Sequence, residues 1–175
     1  MNEEFAIHWF RQDLRLNDNP SLNYLSKNHK NIVCLYIYDE VNPERQLGAA
    51  SKLWLHHSLN DLNIALDNNL LIFKGNPEKI FSEILSNYKI KEISWNRCYE
   101  PWRIKRDKTL KIYLKENTSV NSFNGSLLWE PWDILKNDGS PYKVFTPFYQ
   151  RGCLKFKEPK KPENCKLKLY NHKIK

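Results

Sequence analysis

The sequence predicts an α/β fold: a five-stranded parallel, Rossmann-like sheet, doubly wound, with helices on both faces and a C-terminal extended linker segment. Two observations lead there. Short runs rich in β-branched and aromatic residues alternate with helical patterns, the order of a parallel sheet wound through right-handed crossovers. Several of the runs are apolar or aromatic almost throughout, as strands covered on both faces must be.

The elements follow in order. The first strand is read at Phe5–Phe10, then a helix over 18–26 with Asp18 and Pro20 at its start. The run Ile32–Tyr38 is the second strand. In 50–66, Leu55, Leu59, Leu62 and Leu66 recur at helical spacing and make one apolar stripe. Leu70–Lys74 is the third strand. In 76–88, Asn76 suits a cap and Pro77 the first helical position, with Ile80, Phe81, Ile84, Leu85 and Tyr88 on the buried face. A strand over 92–96, a helix over 102–116 and a strand at Ser119–Phe123 complete the series. Beyond Phe123 the period changes. The turn cluster 137–141 lies between 132–136 and 142–145, which predicts a hairpin or paired extended arms. The expected division is an α/β domain over 1–150 and a basic linker over 151–175, with Leu167, Leu169 and Tyr170 opening a further element.

The chain has 175 residues, 41% of them hydrophobic, which suits one ordinary core. No apolar stretch approaches the roughly 20 residues that cross a bilayer, and the acidic start lacks a secretory pattern. A cytoplasmic protein that avoids membranes is expected. The net charge of +8 is unevenly placed: residues 151–175 hold nine Lys or Arg against Glu158 and Glu163, so this tail carries +7. It reads equally as a solvated linker or a contact for phosphates. Cys34, Cys98, Cys153 and Cys165 form no C-x-x-C pair, so neither a zinc site nor a disulfide scaffold is expected.

In open parallel sheets, ligands gather beyond the carboxyl ends of the strands. That rule selects Arg11 and Asp13, Asp39 and Glu40, Gly75 and Asn76, and 96–103. A dinucleotide fingerprint or P-loop needs clustered glycines; here Gly48, Gly75, Gly125, Gly139 and Gly152 are isolated. His56 and His57 stand about 100° apart on a helix and cannot hold one metal from one face. Asp39 and Glu40 read as a capping or solvated pair. No nucleophile elbow or Cys–His pair is legible. The six tryptophans, Trp9, Trp54, Trp95, Trp102, Trp129 and Trp132, are many for this length. They could stack on a planar ligand or fill the core and a domain interface.

Four stretches carry a resemblance. These are 9–20 (WFRQDLRLNDNP), 48–59 (GAASKLWLHHSL), 96–107 (NRCYEPWRIKRD) and 142–148 (YKVFTPF). In this order and spacing they resemble the amino-terminal α/β domain of the DNA photolyase and cryptochrome family. The resemblance covers 5–150. Arg11, Asp13, Arg15, Asp18, Asn96, Arg106 and Asp107 are its signature residues. Arg11, Arg15, Arg103 and Arg106 are expected to pair with Asp13, Asp18 or Asp107 and hold loops at the sheet's carboxyl edge.

The resemblance implies a light-driven repair of pyrimidine dimers in DNA. FAD would sit in a carboxyl-terminal helical domain that this chain lacks, and an antenna pigment in the α/β domain. Its implied partners are that helical domain and, through the whole protein, damaged DNA; the fragment is expected to be a monomer. The antenna would be a folate, or a deazaflavin or flavin, in a pocket formed by Tyr38, Leu47, Lys52, Leu55, Glu100 and Arg103. Folate-binding members carry an Asn-Glu pair where this chain has Trp102 and Arg103, which counts against folate held in the usual manner. The alternatives are a cryptochrome-type light receptor and a free-standing nucleotide-binding module.

Overall fold

The computed structural model describes residues 4–39, 46–163 and 167. Five strands form one sheet: β1 (Phe5–Phe10), β2 (Ile32–Tyr38), β3 (Leu70–Lys74), β4 (Ile90–Asn96) and β5 (Ser119–Phe123), in the order β3-β2-β1-β4-β5. Every pairing is parallel. The connections are α1 (Pro20–Asn28), α2 (Ala49–Ala65), α3 (Pro77–Asn87) and α4 (Pro101–Lys115). The doubly wound sheet is as expected, and the central strand β1 is buried at every position.

The strands' two-residue period separates two cores. Phe5, Ile7 and Trp9 of β1 and Val33, Leu35 and Ile37 of β2 meet Phe81 and Ile84 of α3 and Leu110 and Leu114 of α4. Ala6, Phe10, Ile32, Cys34 and Tyr36 face the other way, onto Leu22 and Leu25 of α1 and Leu59, Leu62 and Leu66 of the α2 segment. The predicted leucine stripe of α2 is therefore the buried one, and Leu167 packs against the same core.

Helix starts obey local chemistry. Asn76 caps α3, its side chain accepting from the Glu78 amide at 2.8 Å, with Pro77 following. The start of α1 differs from expectation. Asp18 sits at φ 48°, a left-handed turn, and the cap is Asn19, whose side chain accepts from the Leu22 amide at 3.2 Å. Asn19 also bonds neighbouring loops, which makes it the better-placed acceptor.

The described residues divide into two compact units, one of 4–39, 46–125, 163 and 167, the other of 126–162. The expected boundary at 150 falls inside the second. In that unit the anticipated turn exists: Gly139 donates to the Lys136 carbonyl and the Lys136 amide to Ser140, each at 2.9 Å. The flanking arms do not pair as strands. Instead 145–155 coils through α5 (Phe145–Pro147), a π turn (Phe148–Gly152) and a 3-10 turn (Cys153–Lys155). Gly152 permits this run to lie on Ile134, whose methyl is 2.6 Å from where a Cβ would stand. Only Glu130, Ile134 and Cys153 of this unit are buried.

Beneath the sheet's carboxyl edge, His8 is fully buried, its Nδ1 3.0 Å from Ser21 Oγ, which lies 2.7 Å from Ser94 Oγ. Its Nε2 has no partner. Burial, opposed by Asp13 and assisted by Arg11, lowers the His8 pKa from 6.5 to about 4. Between these values the unfolded chain binds a proton that the folded chain does not. Stability should therefore fall as pH drops from about 6.5 toward 4, by up to about 3 kcal/mol. Urea unfolding of wild type and His8→Asn across this window checks it: the stability difference between them should shrink as the solution is acidified.

Candidate functional site

The loops beyond the strands' carboxyl ends are tied by one polar network. Asp13, just past β1, accepts from the Arg11 amide at 3.0 Å, from Asn19 Nδ2 at 3.2 Å and from Asn96 Nδ2 at 2.6 Å. Asn96, the last residue of β4, also receives the Ser21 amide at 3.1 Å. Of the three carboxylates expected to meet arginine side chains, Asp13 is held instead by amide donors, and among the described residues no guanidinium bonds to it. Gly125 presses on Asn96, leaving 2.5 Å between that side chain's Cγ and the site of a Cβ.

The arginines divide the remaining work. Arg11 donates from Nη1 to Asp107 and from Nη2 to the Asn96 carbonyl, its side chain only 3% exposed. Arg106 reaches Asp39 at 2.7 Å and Asp107 at 2.8 Å. Burial opposes its charge most strongly, yet Asp107 and Asp39 together outweigh it and hold the guanidinium above its ordinary range. Arg15 finds carbonyls instead of carboxylates, those of Asp18 at 2.8 Å and Gly125 at 2.6 Å. Arg103 lies 3.7 Å from Glu100. Asp18 therefore serves through its backbone.

Above this network opens a cleft of about 700 Å³, within the size range of small-molecule sites. Tyr38 at the end of β2, Leu47, Lys52 and Leu55 of the α2 segment, and Arg103 of α4 line it. Glu100 does not; it accepts from Gln12 Nε2 at 2.7 Å. Glu40 lies outside the described residues. Gly75 and Asn76 are absent from the walls, with Asn76 engaged as a cap.

The strand-end rule selects Arg11, Asp39 and Trp102 among these walls, whereas sequence reasoning missed Trp9, Trp54, Tyr36 and Arg106 as cleft residues. The excess of tryptophan was the available signal, and three of the six serve here. Burial pushes the Tyr36 phenol up to about 12, so it stays neutral. The guanidinium carbons of Arg103 and Arg106 lie 4.9 and 5.2 Å from the Trp102 ring centre. Arg11 and Arg106 approach Trp9 at 5.0 and 5.1 Å.

A planar conjugated molecule fits these walls. Indoles and phenols offer stacking faces, and Lys52, Arg11, Arg103 and Arg106 bring positive charge to the same walls. A pterin's amino groups would seek a carboxylate; the one in the wall among the described residues, Asp39, is bound to Arg106. Among the described residues no cluster of three or more His, Cys, Asp or Glu side chains could hold a metal. No helix among them is long and apolar enough to cross a membrane.

Comparison with known proteins agrees with the sequence motifs. A family model described as DNA photolyase matches residues 6–166. A deoxyribodipyrimidine photo-lyase of Agrobacterium fabrum is 36% identical over 149 residues, covering 83% of this chain and 31% of that protein. Cryptochrome-1 of Arabidopsis thaliana is 31% identical over 165 residues, 91% of this chain and 24% of its own length. The crystal structure of a class III photolyase from Agrobacterium tumefaciens superposes with a TM-score of 0.85 at 32% identity, over 100% of this chain and 38% of that one. The chain thus spans about a third of the length of such relatives.

Removing Asp107 leaves Arg11 buried without its carboxylate, so Asp107→Ala should cost about 3–5 kcal/mol in urea unfolding. The exposed Lys27–Glu163 pair is the contrast: Lys27→Ala should cost under about 1 kcal/mol.

Proposed function

Because this chain belongs to the DNA photolyase family, we propose that it is the pigment-holding and scaffolding lobe of a deoxyribodipyrimidine photolyase. The whole protein then repairs cyclobutane pyrimidine dimers with light, and its FAD is held by a helical lobe outside these residues. The observation that carries this reading is the cleft. It combines stacking faces with three guanidiniums at the sheet's carboxyl edge.

When bound, the antenna pigment would absorb light and pass excitation onward to FAD. Trp9, Trp102 and Tyr38 would flank it, Leu47 and Leu55 would exclude water, and Arg103 and Lys52 would meet its acceptor or anionic groups. A flavin or deazaflavin suits these donors better than a folate. The lobe has no part in bond cleavage; it positions the pigment and supports the partner lobe, acting in the cytoplasm within one polypeptide. A second reading, a cryptochrome-type light receptor, is favoured by the 31% identity to a plant cryptochrome.

Two measurements test the proposal. The purified chain, dialysed against riboflavin 5′-phosphate or a methenyl folate, should retain the flavin and acquire its absorption bands, and Leu55→Arg should abolish retention. Residues 1–175 alone should leave ultraviolet-damaged DNA unrepaired under illumination, whereas the full-length gene product repairs it. Repair by the fragment would refute the division of labour, and a full-length product without repair would favour the receptor.

A further inference from the structure

We infer that the arginines around the cleft keep Trp9 and Trp102 from acting as electron donors, so that these indoles can hold an excited pigment without quenching it. The inference rests on the reading of the cleft as a pigment site. An excited conjugated molecule in contact with an indole can take one electron from it. The products are a pigment radical anion and an indole radical cation, and loss of the N–H proton to a nearby acceptor then stabilises the separated charges. For a light-gathering site that transfer is a loss, since the excitation ends before it is passed on.

Two independent features oppose it. The first is charge. Guanidinium carbons stand 5.0 and 5.1 Å from the centre of the Trp9 ring and 4.9 and 5.2 Å from that of Trp102. A positive charge at that distance, in a largely buried setting, disfavours creation of a second one. Asp107 and Asp39 hold the guanidiniums of Arg11 and Arg106, Glu100 lies 3.7 Å from that of Arg103, and together these carboxylates offset part of the field, so each group's effect has a sign that substitution can read. The second is the proton's destination. Trp9 Nε1 is buried with no hydrogen-bond acceptor, as is Nε1 of Trp95, whose ring lies 5.5 Å from Trp9. A radical cation formed on Trp9 could neither release its proton nor pass the charge to a better-placed neighbour.

The cleft contains its own contrast. Trp54 also lines it, is 71% exposed, and has no cation over its ring among the described residues. Of the three indoles in the cleft, Trp54 is therefore the donor that remains, and Trp102 is a shielded one.

The test measures the excited-state lifetime of riboflavin 5′-phosphate bound to the full chain. Trp54→Phe should lengthen it, while Trp102→Phe should leave it unchanged. Arg106→Gln, which removes a cation and leaves both carboxylates, should speed quenching by roughly tenfold, with an indole radical in transient absorption. Asp39→Asn should move the rate the opposite way. A merely loosened pocket would shift both variants in the same direction, which would overturn the inference, as would a lengthened lifetime in Trp102→Phe.

If the flavin does not bind, the pigment reading fails separately, and the shielding is read on the ligand-free chain. There, azide radicals should oxidise Trp54 and spare Trp102 in peptide maps, with Trp102 becoming oxidisable in Arg106→Gln. Equal oxidation of Trp54 and Trp102 in the wild-type chain would overturn it.

Discussion

The terminal carbonyls of a parallel sheet have no further strand to bond, and in this protein Arg11 resolves that problem for the centre of the sheet. Leaving β1, its backbone amide is received by Asp13, while its side chain takes the carbonyl that ends β4 and the carboxylate of Asp107 on α4. One residue thereby fixes the distance between β1, β4 and α4. Because α4 also carries Trp102, Arg103 and Arg106, the shape of the cleft depends on this buried charge pair. A lone buried guanidinium is costly; with both partners in place the arrangement admits few alternatives, which suits a surface that must be rigid before any ligand arrives.

The sheet is chemically two-sided at β4. Ile93 and Trp95 enter the apolar core, whereas Glu92, Ser94 and Asn96 are buried on the opposite side. Each has a partner: His29 at 2.6 Å from Glu92, Ser21 at 2.7 Å from Ser94, and Asn19 at 2.7 Å from Asn96. A slip of one residue would exchange the two sets and place a carboxylate among aliphatic side chains. The polar face thus sets register where the apolar face supplies most of the burial.

The strands were legible because their composition is decisive: a run such as IVCLYIY has no solvated alternative. Helix α3 was legible to its cap, since Asn-Pro opens it and the apolar positions keep one face. The start of α1 was harder. Asp18 and Asn19 are both good caps, and only the three-dimensional placing of Asn19 against Asp13 and Asn96 separates them. The segment after β5 misled because its turn cluster is local and was found, whereas strand pairing across it is a tertiary matter that its exposed aromatics do not favour. For the cleft, Tyr38, Leu47, Lys52, Leu55 and Arg103 were placed by analogy with the family, while Trp9 and Trp54 needed the fold. Trp9 looks like a core residue in sequence, and it is one; that it also faces a cavity follows from where β1 stops.

The turn between β1 and α1 holds two points that lie far apart along the chain. Arg15 grips the Gly125 carbonyl, and three residues later the Asp18 amide meets the carbonyl of Glu163 at 2.9 Å, with Asn23 adding a bond of 3.1 Å to that same carbonyl. Gly125 and Glu163, the residues on either side of 126–162, are thus both fastened by the β1–α1 region. A segment whose flanking residues are held in this way can be lengthened, shortened or nicked while the chain on either side stays anchored. Descendants of this architecture would accordingly be free to vary that excursion without rebuilding the sheet.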